Sequence, residues 1–421
     1  MKNSNNKYDL IVIGGGLSGV ASAVCAAKEG LKVLIIEQSG YLGGAACNNL
    51  VNPFMVYWRT LCGQKDILNR GVFSCVCEKL KARNAITDDG LVFHEEYLKI
   101  VLDELVKENN IIISFHTVLI DANSKDGEIN DITVYNKNGK TVLESDYYID
   151  ATGDGDLANL AGFKSELGDE NGNCQPMTLC FNVGNVKFGD LTYFQVREKV
   201  NGLYKQFQAE GKIKNPRENV LIFKSFQPNT LHFNSTRIIN RNPVDSDDLS
   251  KAETEGREQV FELFDFLKNN FEMFKDSYIT NIAPSIGIRE SRRIIGEYVL
   301  NEEDLLACRK FDDSVARGNY PIDIHNPTGK GTVLKDIKEG EYYTIPARCL
   351  IPKNSKNLCV VGRCISSTHA AQASFRIMPI VCAIGEGGGA IVAQVKKSNL
   401  LVSDFNIKEV HDILDKNGAL Y

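Results

Sequence analysis

The stretch YDLIVIGGGLSGVASAVCAAKEGLKVLIIE, residues 8–37, decides the architecture. Tyr8 to Ile13 is a short apolar run rich in β-branched residues, the pattern of a strand buried on both faces. Three glycines follow, then a small-residue stretch with helical spacing from Leu17 to Lys28, then a second buried-strand run from Leu31 to Ile36 that ends in Glu37. This is a βαβ unit. Gly14, Gly16 and Gly19 fit the spacing GxGxxG between its strand and its helix. The spacing has a mechanism. A tight turn needs φ values that only glycine takes cheaply, a diphosphate must approach bare backbone, and the first N–H groups of the helix face its negative charge. Glu37 stands where a carboxylate can accept from a free ribose diol, which suits FAD or NAD and disfavours a 2′-phosphate. A plain tight turn is the bland alternative, because glycine turns are common.

Over the whole chain, 421 residues are enough for two or three folded units. Apolar residues make up 43% and charged residues 24%, which argues against long disorder. The net charge of −6 carries no sustained basic block, so no nucleic-acid partner is expected. The opening residues show no signal-peptide pattern, and Gly, Arg or Pro interrupts each apolar run before the ~20 residues a bilayer span needs. Twelve cysteines without a secretion signal read as reduced thiols, and the expected location is the cytoplasm.

Further along, helical spacing is visible over Leu68–Ala82, His94–Val106 and Glu253–Phe271. Strands are expected at Ile111–Phe115, Tyr147–Ile149 and Leu358–Gly362, with a hairpin joining Ile132–Tyr135 to Lys140–Leu143 around Asn138 and Gly139. The expected fold is α/β: a Rossmann-like dinucleotide-binding domain formed by residues 1–167 and 342–421, with 45–92 as an inserted active-site segment. A second, α+β substrate lobe covers 168–341. A helix beginning near Pro379 closes the nucleotide sheet. Its Gly385, Gly387, Gly388 and Gly389 each cost up to about 1 kcal/mol relative to alanine, so something must approach closely: either the first helix or a cofactor.

Later motifs carry a family resemblance. Ala151-Thr152-Gly153-Asp154-Gly155-Asp156 resembles the ATG-type turn of glutathione-reductase-like flavoproteins, and Asn357 to Arg363 resembles the strand that ends beside the flavin in those proteins. Gly287 to Arg293, Ile322 to His325, Ile345 to Leu350, and Thr368-His369 through Arg376-Ile377-Met378-Pro379 resemble FAD-dependent oxidoreductases. That family is related to the flavoprotein component of heterodisulfide reductase and, more distantly, to fumarate-reductase flavoproteins. The resemblance runs nearly end to end and implies FAD. It places cofactor contacts at Gly14, Gly15, Gly16, Leu17, Ser18, Gly19, Glu37 and Gln38, then at Gly43, Gly44, Ala45 and Val118. Ala151, Thr152, Gly153, Gly155, Gly362, Arg363, Met378 and Pro379 complete the set. Pro379 suits a first helical turn, whose free N–H groups can face the flavin.

Candidate chemistry follows from the same resemblance. Cys47 lies where disulfide reductases carry the first cysteine of a CxxxxC pair, but Asn52 occupies the second position, so this loop forms no dithiol. Cys47 is either a lone flavin-facing thiol or a small buried hydrophobe. Cys62, Cys75 and Cys77 lack the spacing of zinc or iron–sulfur ligands, so no metal is expected. His369 is the candidate acid or base, against a structural role bonding backbone. Arg376 is the candidate for binding a substrate anion or stabilising reduced flavin. Arg289, Arg292 and Arg293 beside Glu290 and Glu297 read as an ion-pair network joining the lobes. His325 and Arg348 are placed near the lobe interface by resemblance alone. The expected function is hydride or electron transfer between flavin and a small-molecule substrate, supplied by NAD(P)H or an electron-donor protein. The alternatives are an electron-relay flavoprotein fed by a protein partner, like the heterodisulfide reductase component, and a non-catalytic FAD-binding protein. No second GxGxxG unit for NAD is visible, there is no membrane span, and an oligomer is compatible with the sequence.

Overall fold

In the computed structural model, which describes residues 7–421, β1 (Tyr8–Ile13), α1 (Leu17–Lys28) and β2 (Val33–Ile36) form the parallel unit that the apolar runs require. Leu10 to Ile13 pair in register with Val33 to Ile36 on one side and Tyr147 to Asp150 on the other. Adding β3 (Ile112–Ser114), β4 (Ser145–Asp150) and β5 (Leu358–Val360) gives a five-stranded sheet in the order β5-β4-β1-β2-β3, with every pairing parallel. Both faces are covered, which is why the strands read as continuous apolar runs. One face packs on α1 and on α2 (Met378–Ser398), and the other packs beneath the three-stranded sheet of residues 118–143.

The glycines of α2 are explained by packing. A Cβ on Gly385 or Gly389 would strike the backbone of Ser18 or Ser22 in α1, and one on Gly387 or Gly388 would press into Val315 or Val361. Ser22 Oγ donates to Gly385 O at 2.7 Å, a bond that only this close helix approach allows. Close approach to α1 is thus the correct choice between the two readings. By length and a mean hydropathy of 1.4, α2 is apolar enough to cross a membrane, a run that the sequence expectation missed; here it is a buried core helix.

Between β4 and β5 the chain builds a second unit. Strands 222–224, 231–233, 181–184 and 278–282 form an antiparallel sheet in that order. With the helices Tyr193–Ala209 and Ser246–Asn270 it encloses its own apolar core, drawn from Leu50 and residues 177–286. Leu300, Phe311, Val315, Ile322 and Tyr343 instead pack into the nucleotide-side core. The cores therefore draw the return of the chain well before the expected boundary at 341. The signal missed was the mixture of short strands and loops at 292–346, which has no periodicity of its own.

Some local expectations shift, among them the helix expected over Glu253–Phe271, which runs Ser246–Asn270. The helix expected over Leu68–Ala82 begins at Val72, because Gly71 at φ +65° interrupts the run. In the 118–143 sheet Asn136 pairs with Gly139, so the turn is Lys137-Asn138, one residue earlier than expected. Asn136 Oδ1 accepts from Asn138 N at 2.9 Å and fixes that turn locally.

Candidate functional site

A cavity of about 500 Å³, in the range of small-molecule sites, runs from the glycine loop to the second unit. The three motif glycines have different reasons to be glycine. Gly14 sits at φ +102° with its missing Cβ aimed at the Ala151 carbonyl, and a Cβ on Gly19 would strike the Gly14 carbonyl. Gly16 is extended at φ −67°, and a Cβ there would find nothing closer than Gly44 Cα at 3.8 Å. The polypeptide alone therefore does not require glycine at 16, and its bare face leaves the cavity open to close approach of a bound group.

The donors around this point fit a diphosphate. Gly16 caps α1 without a side-chain bond, and the first intrahelical bond is Val20 N to Gly16 O. Leu17 and Ser18, both on the cavity wall, keep their N–H groups free for an anion. Arg363 also lines the cavity: Nη2 donates to Asp154 Oδ1 at 2.6 Å while its buried Nε has no partner. Arg292 reaches the wall as well and donates to Asp156 at 2.9 Å. Burial and the neighbouring Asp154 and Asp150 raise Asp156 to about 6, against the opposing pull of Arg292.

Glu37 does more than the motif anticipates. Its Oε2 accepts from Gly15 N and its Oε1 from Ser39 N, each at 2.7 Å, so one carboxylate clamps the glycine loop to the end of β2. It remains on the cavity wall with lone pairs left for a ribose diol, beside Gln38 and Val118. At the other end the loop 43–49 meets the second unit: Asn49 Nδ2 donates to Ser285 Oγ at 2.9 Å and Ile286 O at 2.9 Å. Ser285, Ile286, Ile288, Arg376 and Met378 close that end.

Of the residues expected at the cofactor, Gly14, Gly16, Leu17, Ser18, Glu37, Gln38, Gly43, Gly44, Ala45, Val118, Ala151, Thr152, Gly153, Gly362, Arg363 and Met378 line this cavity together. Gly15, Gly19, Gly155 and Pro379 stand behind it. Gly15 is used by Glu37, Gly155 takes a left-handed conformation that starts the Asp156–Leu160 helix, and Pro379 is the buried second residue of α2. Asn48, Asn49, Ser285, Ile286, Ile288 and Arg292 were missed. Asn48, Asn49, Ser285 and Ile286 come from segments with no local motif, whereas Ile288 and Arg292 lie within the Gly287–Arg293 stretch, whose arginines read as ion-pair partners.

Two of the three candidate catalytic residues are not on the cavity wall. Cys47 is 1% exposed beneath Gly43, with Sγ 3.6 Å from the Glu95 carbonyl, and burial pushes its thiol up to about 12. This is the small-hydrophobe reading. His369 places Nδ1 2.7 Å from Oε1 of Glu290, a fully buried carboxylate that also accepts from Arg293 Nη1 at 2.5 Å and from Gln175 N at 3.0 Å. It belongs to a buried ion network and not to the cavity. Arg376 alone of the three lines it.

The arginine network is also smaller than expected. Among the described residues Glu297 takes no part and accepts from Asn354 N at 3.1 Å, while Arg289 has no carboxylate partner. Arg348 pairs with Asp313 at 2.8 Å on the surface, and His325 is buried 3.4 Å from Asp323.

Residues 9–414 match the family of FAD dependent oxidoreductases. Glutathione reductase of Schizosaccharomyces pombe is 51% identical over 51 residues, which is 12% of this chain and 11% of that protein. Dihydrolipoamide dehydrogenase of Chaetomium thermophilum is 50% identical over 71 residues, 15% of this chain and 14% of that one. The chain thus spans only 11–14% of the length of these curated relatives. Among solved structures, a geranylgeranyl bacteriochlorophyll reductase-like protein of Thermoplasma acidophilum has a TM-score of 0.48 at 14% identity, covering 98% of this chain and 83% of that one. With a family match over nearly the whole length and a cavity whose free donors and open Gly16 face suit a dinucleotide, the chain belongs to the FAD-dependent oxidoreductase family and its cofactor is FAD.

Proposed function

We propose that this protein transfers a hydride between its flavin and a small molecule bound where the second unit meets the cavity. The observation that carries this reading is the continuity of one cavity from the Gly16–Ser18 loop to Ile286, Ile288 and Arg376. When bound, FAD supplies the two-electron chemistry. The chain supplies position and charge. Leu17 and Ser18 N–H groups and Arg363 hold the diphosphate, and Glu37 holds the ribose. The apolar Ile286 and Ile288 exclude water at the far end. Arg376 sets a fixed positive charge there, which suits either a substrate anion or charge on the reduced cofactor. His369 is a positioning residue: through Glu290 it keeps the segment from 289 to 293 seated on the helix that precedes α2.

The test is the visible spectrum of the purified protein, followed by anaerobic titration with NADH, NADPH and reduced ferredoxin. Flavin bands that one donor bleaches are expected. Bleaching by a nicotinamide alone identifies a self-contained reductase, and bleaching by ferredoxin alone a partner-fed one. A folded, colourless protein that refuses added FAD overturns the reading.

A further inference from the structure

Just beyond Arg376, the second unit gathers more positive charge than it neutralises. Arg217 precedes the 222–224 strand, Arg237 follows 231–233, and Arg289 follows 278–282, yet all three are buried, at 3%, 0% and 8% exposure. Arg237 reaches the turn that follows the strand Ile322–His325, and Arg217 and Arg289 both lie close enough to Asp323 of that strand to feel its charge. Arg376 lies 3.8 Å from the Asp323 carboxylate, and Arg237 Nη2 donates to the carbonyls of Asn326 and Gly331 at 3.0 and 2.8 Å. Arg289 spends its two terminal nitrogens on neutral acceptors, Pro176 O at 2.6 Å and Asn234 Oδ1 at 3.3 Å.

The charges do not balance. Four guanidinium groups face two carboxylates, Asp323 and Glu218, the latter 3.3 Å from Arg237. Among the described residues neither Arg217 nor Arg289 makes an ion pair, and the buried Nε atoms of Arg217 and Arg376 have no partner. His325 adds no charge. Burial and the nearby Arg289 hold it well below the usual histidine range. Burial and repulsion from Arg217 and Arg376 lower even Arg289, to about 9. Leaving buried cations unpaired costs several kcal/mol, and chains keep them where something else supplies the counter-charge.

We propose that Arg217, Arg289 and Arg376 form a subsite for an oxyanion, so that the substrate carries a carboxylate or phosphate group held next to the flavin end of the cavity. A guanidinium fork matches either group bidentately. The cofactor's own diphosphate does not meet this demand, since its donors lie at the Gly16–Ser18 end of the same cavity. The placement beside the flavin rests on the function proposed above; the oxyanion chemistry rests on the arginines alone.

The test titrates the FAD-loaded full chain with inorganic phosphate, acetate and succinate at constant ionic strength set by chloride, reading the flavin difference spectrum and the melting temperature. A saturable rise in melting temperature together with a flavin band shift is expected from phosphate or from a carboxylate, and the responding probe identifies the source of the oxyanion. Arg289→Met is expected to weaken that response by about 10–100-fold, the scale of one hydrogen bond to a charged group. Arg376→Gln, at a partly accessible position, gives the same reading if Arg289→Met fails to fold. A melting response without a band shift overturns the placement beside the flavin. No saturable response to any probe, or variants that bind as the parent does, overturns the subsite. If the chain refuses FAD, the function fails while the melting response still decides the anion site.

Discussion

Arg289 and Glu290 are neighbours in the chain and are both buried, but the protein meets the needs of only one of them. Glu290 receives Arg293 at 2.5 Å, His369 at 2.7 Å and a backbone N–H at 3.0 Å. Arg289 receives two neutral oxygens and, among the described residues, no countercharge. The same contrast separates Gly14, whose lack of a side chain is forced by Ala151, from Gly16, whose lack is forced by nothing in the chain. A buried feature that the chain itself explains is architecture. One that it leaves unexplained points to a ligand.

The largest effect should come from breaking the satisfied network. Glu290→Gln leaves the buried Arg293 and the half-buried His369 without their carboxylate, and a loss of about 3–5 kcal/mol is expected from urea denaturation. A loss below about 1 kcal/mol would mean the network is not structural, and would return His369 to candidacy as a proton donor.

Glu386 meets its need in a third way, by giving up its charge. It is 1% exposed on α2, accepts from Val72 N at 3.0 Å and leaves Oε1 without a partner. Burial raises its pKa from 4.5 to about 7, against weaker opposing pulls from Val72 N–H and Lys28. The folded state therefore holds a proton that the unfolded chain releases above 4.5. Its contribution is fully present below that pH and declines as pH rises to about 7, by on the order of 3 kcal/mol. Glu386→Gln keeps an acceptor for Val72 and should flatten this part of the stability–pH curve. A variant curve parallel to that of the parent would show that Glu386 is charged in the fold.

Next in size is the pair of glycine substitutions. Gly16→Val should fold as the parent does and bind FAD at least about 100-fold more weakly, a difference of roughly 2.7 kcal/mol. Gly14→Ala should instead lower stability itself, by about 1–3 kcal/mol, because it forces a side chain into a positive φ and against a carbonyl. Calorimetric FAD titration alongside thermal melts separates the two. Equal stability losses would erase the distinction between an architectural and a ligand-facing glycine.

This distinction also explains what was legible beforehand. The βαβ unit, its glycine spacing and Glu37 sit within thirty consecutive residues, so periodicity and turn chemistry reveal them without tertiary knowledge. The resemblance added Arg363 and Arg376, which do reach the cavity. Nothing in the local pattern around Arg217, Asn234, Arg289 or Asp323 brings them together, because each sits on a separate segment and only the tertiary fold makes them neighbours. His369 and Cys47 show the opposite failure. Their residue types carry chemistry, but the direction of a side chain follows from packing: His369 turns to Glu290 and Cys47 turns into the core under Gly43. The turn at Lys137-Asn138 was misplaced by one residue because the Asn136 side chain opens it, with Gly139 at φ +93° closing it from within the following strand.

Cys47 offers the smallest effect and a clean contrast. Its thiol is 1% exposed and pushed up to about 12 by burial, so at neutral pH it is a protonated, inert group whose needs the core meets. Cys47→Ala should cost about 1 kcal/mol, the scale of removing a methyl-sized group from a packed core. The flavin spectrum, the donor that bleaches it and the rate of bleaching should stay unchanged. A thiol facing the flavin behaves differently. Its thiolate adds a long-wavelength absorbance that grows with pH and disappears in the alanine variant, and finding that band would move Cys47 from the satisfied side of the comparison to the side of Arg289.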